Sequence, residues 1–401
     1  DRRCFLFSAF IELAELYIKG YTNNDVEVGK GECGSTNFTK RTSTFGYKSE
    51  EYKFTTKDGY ILTTFRIKSS PKCTDDIRNV PVILLHGVIN SGMAWVAVGP
   101  DSSVAYALSD ACYDVWIINF RGTRYSREHI NLTAADPHYW EFTMDDFAKY
   151  DMPAFIDKVL VVTGKPKLNV VGYSEGGAVY LALASTNDKY QNKIGVAITL
   201  EPSAYMYSKT NIFLKLFAKN YESLYKVVAG MNKVLDYDDK QTPENVLTVK
   251  CPKTLLRGSF CRFIYEVIMK NVPPATMNCL FNDFPEPMTF LTIKRYAPHF
   301  AKRIFQMINL GKKGNLQKYG VESPPKYDIT KINNPVSIIY GQQELMVTKD
   351  NLLYLNGQLN NVISVSEVDD SNWDHFSFMF SDNINSKLVP IIRDTLDNYS
   401  D

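Results

Sequence analysis

Short apolar runs recur along this chain, each bounded by turn-forming residues, and alternate with stretches whose apolar positions repeat at helical spacing. Tyr60–Ile67 (YILTTFRI) follows the turn signal Asp58-Gly59 and reads as an early strand. Val80–Leu85, Tyr113–Ile118, Leu168–Val171, Lys193–Leu200, Val336–Tyr340 and Val362–Val368 read as later ones. Several are continuously apolar, as strands covered on both faces must be. Strands that alternate with helices predict βαβ units around a mostly parallel sheet. Between about 202 and 325 this rhythm stops. Lys, Tyr, Phe, Met and Pro increase there and the spacing turns helical, as in Asn211–Val228. The pattern therefore predicts an N-terminal extension (1–44), an α/β core made of 45–201 and 326–401, and an inserted helical cap or lid (202–325).

Composition narrows the possibilities. With 401 residues, 45% hydrophobic and 22% charged, the chain can build a large core. Lys plus Arg total 45 against 44 for Asp plus Glu. That balance removes any global electrostatic reason to bind nucleic acid or an anionic membrane. The apolar stretch Cys4–Ile18 is interrupted by Glu12 and Glu15. It is too short and too charged to span a bilayer, lacks the layout of a signal peptide, and reads as an amphipathic helix of a processed chain; no transmembrane segment is expected. Sequons stand at Asn37, Asn131 and Asn398, and with seven cysteines they favour a secreted or lumenal glycoprotein.

The chemistry concentrates in Gly172-Tyr173-Ser174-Glu175-Gly176. This G-x-S-x-G lies directly between the apolar strand LNVV and the helical run AVYLALAS. A serine on so tight a strand-to-helix turn has its hydroxyl pushed out above the sheet, and the flanking glycines permit the cramped backbone. The N-terminus of the following helix faces a developing oxyanion. His86-Gly87 ends the strand PVILL and opens a loop. That loop is expected to supply one oxyanion donor from the Val88 N–H, beside the Glu175 N–H. His86 itself reads as structural. Of five histidines, only His375 follows the last strand and precedes a closing helix, so it is the expected general base to Ser174. His129, His138 and His299 read as structural, with no metal-ligand spacing. A histidine base needs a carboxylate behind it. The usual place is the turn after PVSIIY, here Gly341-Gln342-Gln343-Glu344-Leu345.

By this point the chain resembles the acid lipase family of α/β-hydrolases, the gastric and lysosomal lipases with their insect relatives. The likeness begins at Phe45-Gly-Tyr-Lys-Ser-Glu-Glu-Tyr and Asp58-Gly-Tyr-Ile-Leu. It continues through His86-Gly-Val-Ile-Asn-Ser, Tyr113-Asp-Val-Trp and Asn119-Phe-Arg-Gly-Thr-Arg-Tyr-Ser-Arg-Glu-His129. Tyr139-Trp-Glu-Phe-Thr, Asp151-Met-Pro, Pro324-Pro-Lys-Tyr-Asp and Asp374-His-Phe-Ser-Phe follow in order. The resemblance implies Ser174 as nucleophile and His375 as base. The family's acid is an aspartate, and Gln343 appears in its place. A neutral amide can accept the histidine N–H but supplies no charge, and such a change can cost ~10⁴ in kcat. Glu344, one residue along, is expected to point away on a regular strand end. Glu201 is better placed: it ends the strand KIGVAITL, where the family usually has a small apolar residue before proline. Pancreatic-type lipases, a different family, take their acid from that earlier strand. Glu201 is therefore the expected acid, with Glu344 and the Gln343 position as alternatives.

The resemblance also implies a Cys251–Cys261 disulfide in the cap. Cys4 and Cys33 are expected to pin the N-terminal extension. Cys73, Cys112 and Cys279 are left, with at least one thiol unpaired within the chain and Cys112 read as a buried small apolar residue. Cap residues Phe213, Leu214, Leu216, Phe217, Met231, Phe281, Phe284, Met288 and Phe290 are candidates for an acyl pocket or lid, or for plain cap core. The expected activity is a serine ester hydrolase acting on neutral lipid esters, with no cofactor or metal and a lipid or fatty-acyl ester as its partner. Transient contact of the cap with a lipid interface is part of that expectation. The alternative is a lipase-derived lipid-binding or yolk storage protein, disarmed by Gln343.

Overall fold

The computed structural model describes residues 35–75, 80–208, 283–344 and 347–399, with 215, 216, 218–223, 246, 247 and 272 between them. The chain enters through α1 (Phe38–Thr44), whose first turn is capped by the Asn37 side chain accepting the Lys40 N–H. β1 (Lys48–Thr55) and β2 (Tyr60–Ser69) form an antiparallel hairpin. Gly59 turns that hairpin at φ 97°, a left-handed value that favours glycine. There follow β3 (Val82–Leu85), α2 (Val104–Asp110), β4 (Val115–Ile118) and the short β5 (Glu128–His129). Next come α3 (Met152–Thr163), β6 (Leu168–Tyr173), α4 (Glu175–Thr186) and β7 (Ile194–Leu200). The two-residue β8 (Val246–Leu247) and β9 (Met288–Thr289) pair with each other, and α5 (Phe290–Ala301) and α6 (Gly311–Tyr319) follow. β10 (Val336–Tyr340), α7 (Lys349–Asn356), β11 (Val362–Glu367), α8 (Ser377–Phe380) and α9 (Val389–Asn398) complete the chain.

The main sheet runs β1-β2-β4-β3-β6-β7-β10-β11, with β5 beside β2. Pairing is parallel from β4 through β11 and antiparallel at β1, β2 and β5. Consecutive residues of the central strands serve opposite layers, which is why these strands are apolar at every position. Ile83, Leu85, Trp116, Ile118 and Val170 pack under α3 and α4. Val82, Leu84, Val115, Ile117 and Val171 pack with α2 and α9 on the other face. β1 escaped the sequence reading because it is an edge strand with alternating partial exposure and four charged or polar residues in its first four positions. The predicted run Asn211–Val228 falls partly on described residues, and these are helical at 215–216 and 218–223.

The cysteine assignment needs correction. Cys112 is buried, as expected, but it is bonded to Cys73 rather than being an isolated apolar residue. The cause is the register of β2 against β4. Ile67 pairs with Val115, so the chain leaving β2 and the chain entering β4 pass one another just beyond the sheet. Cys4, Cys33, Cys251, Cys261 and Cys279 lie outside the described residues.

Candidate active site

The strand ends build the site. β6 and β7 pair through Tyr173 and Leu200, β7 and β10 through Leu200 and Ile339, and β10 and β11 through Tyr340 and Glu367. This register sets the next residues of each strand side by side at the carboxyl edge of the sheet. The Ser174 N–H donates to the Leu200 carbonyl at 2.8 Å, and the Glu201 N–H to the Ile339 carbonyl at 3.0 Å. Ser174 has φ 52° and ψ −113°, a strained turn directly ahead of α4. Its glycines are there for space. A Cβ on Gly176 would stand 2.5 Å from the Leu85 carbonyl oxygen, and one on Gly172 would stand 2.8 Å from Gly177 backbone.

His375 bridges serine and carboxylate. Its Nε2 is 2.9 Å from Ser174 Oγ, and its Nδ1 is 2.8 Å from Glu201 Oε2. The Tyr173 hydroxyl donates to the His375 carbonyl at 2.9 Å, and its ring lies 5.1 Å from the imidazole. Glu201 is fully buried and, at φ 45°, turns its side chain back across the sheet edge. Its second oxygen accepts the Gly341 N–H at 2.7 Å.

Glu344 also arrives, against the expectation that it would point away. Its Oε2 lies 3.2 Å from His375 Nδ1, and its side chain is 3% exposed. The segment after β10 does not continue as a strand. Gln343 N–H donates to the Trp373 carbonyl, while Glu344 Oε1 accepts the Val347 N–H at 3.1 Å, so the turn curls Glu344 inward. Gln343 is exposed.

Burial lowers the His375 pKa, but the Glu344 charge and the hydrogen bonds of both glutamates outweigh it and push the value up to about 10. Burial, then the neighbouring Glu344 charge, hold Glu201 well above the usual carboxylate range despite the histidine. Among the described residues, Glu201, Glu344 and His375 are also the one set of donor atoms that could share a cation, all within 4.8 Å of one another.

The loop after β3 passes directly over the serine. A Cβ on Gly87 would lie 3.2 Å from Ser174 Cβ. Val88 and Glu175 line one small cavity of about 40 Å³, together with Phe120, Phe147 and Met288. His86 is tied into this loop, its Nδ1 2.9 Å from the Gly87 carbonyl and its Nε2 accepting the Phe120 N–H at 3.2 Å. Burial drops its pKa to about 4, which keeps the ring neutral. His129 binds the backbone of Asp58, Asn131 and Leu132, His138 is exposed beside Glu141, and His299 is buried against Arg295.

The buried Glu175 side chain went unnoticed in the sequence. Tyr296 of α5 donates to it at 2.8 Å, and burial pushes its carboxyl up to about 7. No local pattern marks such a pair, because its members lie 121 residues apart. Of the residues expected in the cap, Phe284 packs within 6.5 Å of the Phe376 ring, Met288 lines the small cavity, Phe290 stacks on Tyr221 and Leu216 is exposed. Phe213, Leu214, Phe217, Met231 and Phe281 lie outside the described residues. Asn37, Asn131 and Asn398 are all exposed.

Known proteins are similar to this chain in sequence and fold. The family model described as an alpha/beta hydrolase fold matches residues 80–238, and that of a partial alpha/beta-hydrolase lipase region matches 38–99. The chain is 29% identical over 355 residues to gastric triacylglycerol lipase of Rattus norvegicus, covering 86% of this chain and 87% of that one. It is 27% identical over 362 residues to Lipase 1 of Drosophila melanogaster, covering 87% and 77% respectively. Among solved structures, a thermophilic esterase from Thermogutta terrifontis shares the fold with a TM-score of 0.50 at 16% identity, covering 87% of this chain and 99% of its own. A mostly parallel sheet with a serine elbow between its sixth strand and the next helix defines an α/β-hydrolase, and this protein is one. Within that class, the relatives it resembles over most of their length are lipases, the gastric triacylglycerol lipase and the insect lipase among them.

Proposed function

We propose that this hydrolase cleaves neutral lipid esters of the triacylglycerol or steryl ester type, with Ser174 as nucleophile, His375 as base and Glu201 as the acid that orients the base. Ser174 Oγ attacks the acyl carbonyl while its proton passes to His375 Nε2. The oxyanion is held by the N–H groups of Val88 and Glu175. The imidazolium then protonates the departing alcohol, and water, deprotonated by the same nitrogen, releases the acid and restores the serine. The observation that carries this reading is His375 poised between Ser174 and Glu201 at 2.9 and 2.8 Å.

The storage alternative rested on Gln343. Because two carboxylates reach Nδ1 without it, the amide is no reason to expect a disarmed site. The three exposed sequons and the Cys73–Cys112 disulfide support a secreted or lumenal setting. No helix among the described residues is long and apolar enough to cross a membrane. Met288, which lines the cavity with Val88 and Glu175, supports an acyl-facing role for the cap, and transient contact of the cap with a lipid interface is part of the proposal.

A fluorophosphonate probe tests the chemistry. The expected result is a single adduct that maps to Ser174 and disappears in Ser174→Ala. A folded sample that takes up no probe at Ser174 rejects the mechanism.

A further inference from the structure

Two carboxylates meet one nitrogen. Glu201 comes from the end of β7 and Glu344 from the turn after β10, and their Oε2 atoms lie 2.8 and 3.2 Å from the same His375 Nδ1. One oxygen of each carboxyl and the imidazole nitrogen all lie within 4.8 Å of one another. Two buried carboxylates this close repel as like charges, and a proton kept on one of them removes that repulsion. The remaining oxygens are engaged, Glu201 Oε1 by the Gly341 N–H and Glu344 Oε1 by the Val347 N–H. The other titratable groups facing the cluster are Tyr173, whose hydroxyl is held by the His375 carbonyl, and Asp374, which accepts from Ser377.

Charge counting decides what this arrangement does. With both glutamates ionised, the buried histidine is held as imidazolium, which cannot take a proton from Ser174. With one proton kept between the carboxyls, a single negative charge stands behind a neutral imidazole, the same charge as in a one-acid triad. We propose that Glu201 and Glu344 act as a proton-sharing pair that presents a single negative charge to Nδ1, with Glu344 serving as a positioning residue for the histidine. During acylation the Ser174 proton moves to Nε2, the Nδ1 proton stays, and the pair keeps its own proton throughout. The inference rests on His375 being the base proposed above. It also makes the two glutamates partial substitutes, since either leaves a carboxyl at Nδ1.

The test counts protons. The ring of His375, assigned by loss of its signal in His375→Asn, is titrated by NMR between pH 5 and 11 in the wild type and in Glu344→Gln. Three coupled groups release their protons in three macroscopic steps; the first carboxyl proton leaves below pH 5, so the wild type is expected to show two steps within the range. Glu344→Gln is expected to show one, about one pH unit or more below the upper wild-type step. The wild-type curve alone decides the question if the variant does not fold. A single wild-type step at an alkaline pH would mean both glutamates stay ionised, and a single step at the same pH in both proteins would mean Glu344 is a bystander; either overturns the proposal. Fluorophosphonate labelling gives a second readout. Glu201→Gln is expected to slow labelling of Ser174 by about 10–100-fold, and Glu201→Gln with Glu344→Gln by ~10⁴. Equal losses in the single and double variants overturn the shared role. A wild type that never labels removes the Ser174–His375 reading instead.

Discussion

Ser174 and Glu201 are two of four non-glycine residues with positive φ in the described chain. Both conformations are strained, and both aim a reactive side chain across the sheet edge. Glu175 shows a different kind of cost. Its carboxyl ordinarily ionises near 4.5 and is pushed up to about 7 by burial, against the Tyr296 hydrogen bond and the Arg295 charge. Between those two values the folded protein holds a proton that the unfolded chain has released. Stability is therefore lost as pH rises through that window, and the loss is complete above it. Glu175→Gln removes the titration while leaving the backbone N–H and an acceptor for Tyr296. Its melting temperature is expected to gain on the wild type between pH 5 and pH 8, a difference that thermal melts at the two values would measure. A gain of equal size at both would show that burial of the charge is not the cause.

At the scale of elements, α5 is tied to the core by Asp145. This buried carboxylate accepts from Arg295 Nε at 3.2 Å, Tyr327 at 2.8 Å and the Ile308 N–H at 2.7 Å. Removing one partner of a buried ion pair leaves the other charge uncompensated, typically at a cost of about 3–5 kcal/mol. Asp145→Ala is expected to lose stability on that scale in urea denaturation. It also loosens α5, which presents Tyr296 to Glu175, so probe labelling of Ser174 should become more temperature-sensitive in the same variant. The strand ends are tied differently. Backbone bonds from Ser174 to Leu200 and from Glu201 to Ile339 set their places through the sheet register, without side-chain help.

At the scale of the whole molecule, the Cys73–Cys112 bond joins the β2 exit to the β4 entry across a separation of 39 residues. A loop of that length constrains the unfolded chain by an amount usually worth about 2–4 kcal/mol. The Cys73→Ser, Cys112→Ser protein is expected to be less stable by that amount and to label at Ser174 at the wild-type rate under conditions where it is folded. The antiparallel edge of the sheet, where the disulfide lies, is on the far side of β4 and β3 from β7 and β11, the strands that lead to Glu201 and His375.

Features set by local pattern were legible in the sequence. The central strands were, because burial on both faces demands apolar residues at every position, and so was the elbow, because its glycines answer contacts as close as 2.5 Å. Ser174 and His375 could be picked out from their places after strands, and Glu201 from the end of its own. β1 could not, since an edge strand needs no apolar run. Three features belonged to the tertiary structure alone. The curl of the turn after β10 brought in Glu344, the β2–β4 register paired Cys73 with Cys112, and the packing of α5 buried Glu175 under Tyr296. Each joins residues distant along the chain through backbone geometry, and apolar spacing carries no information about where such segments meet.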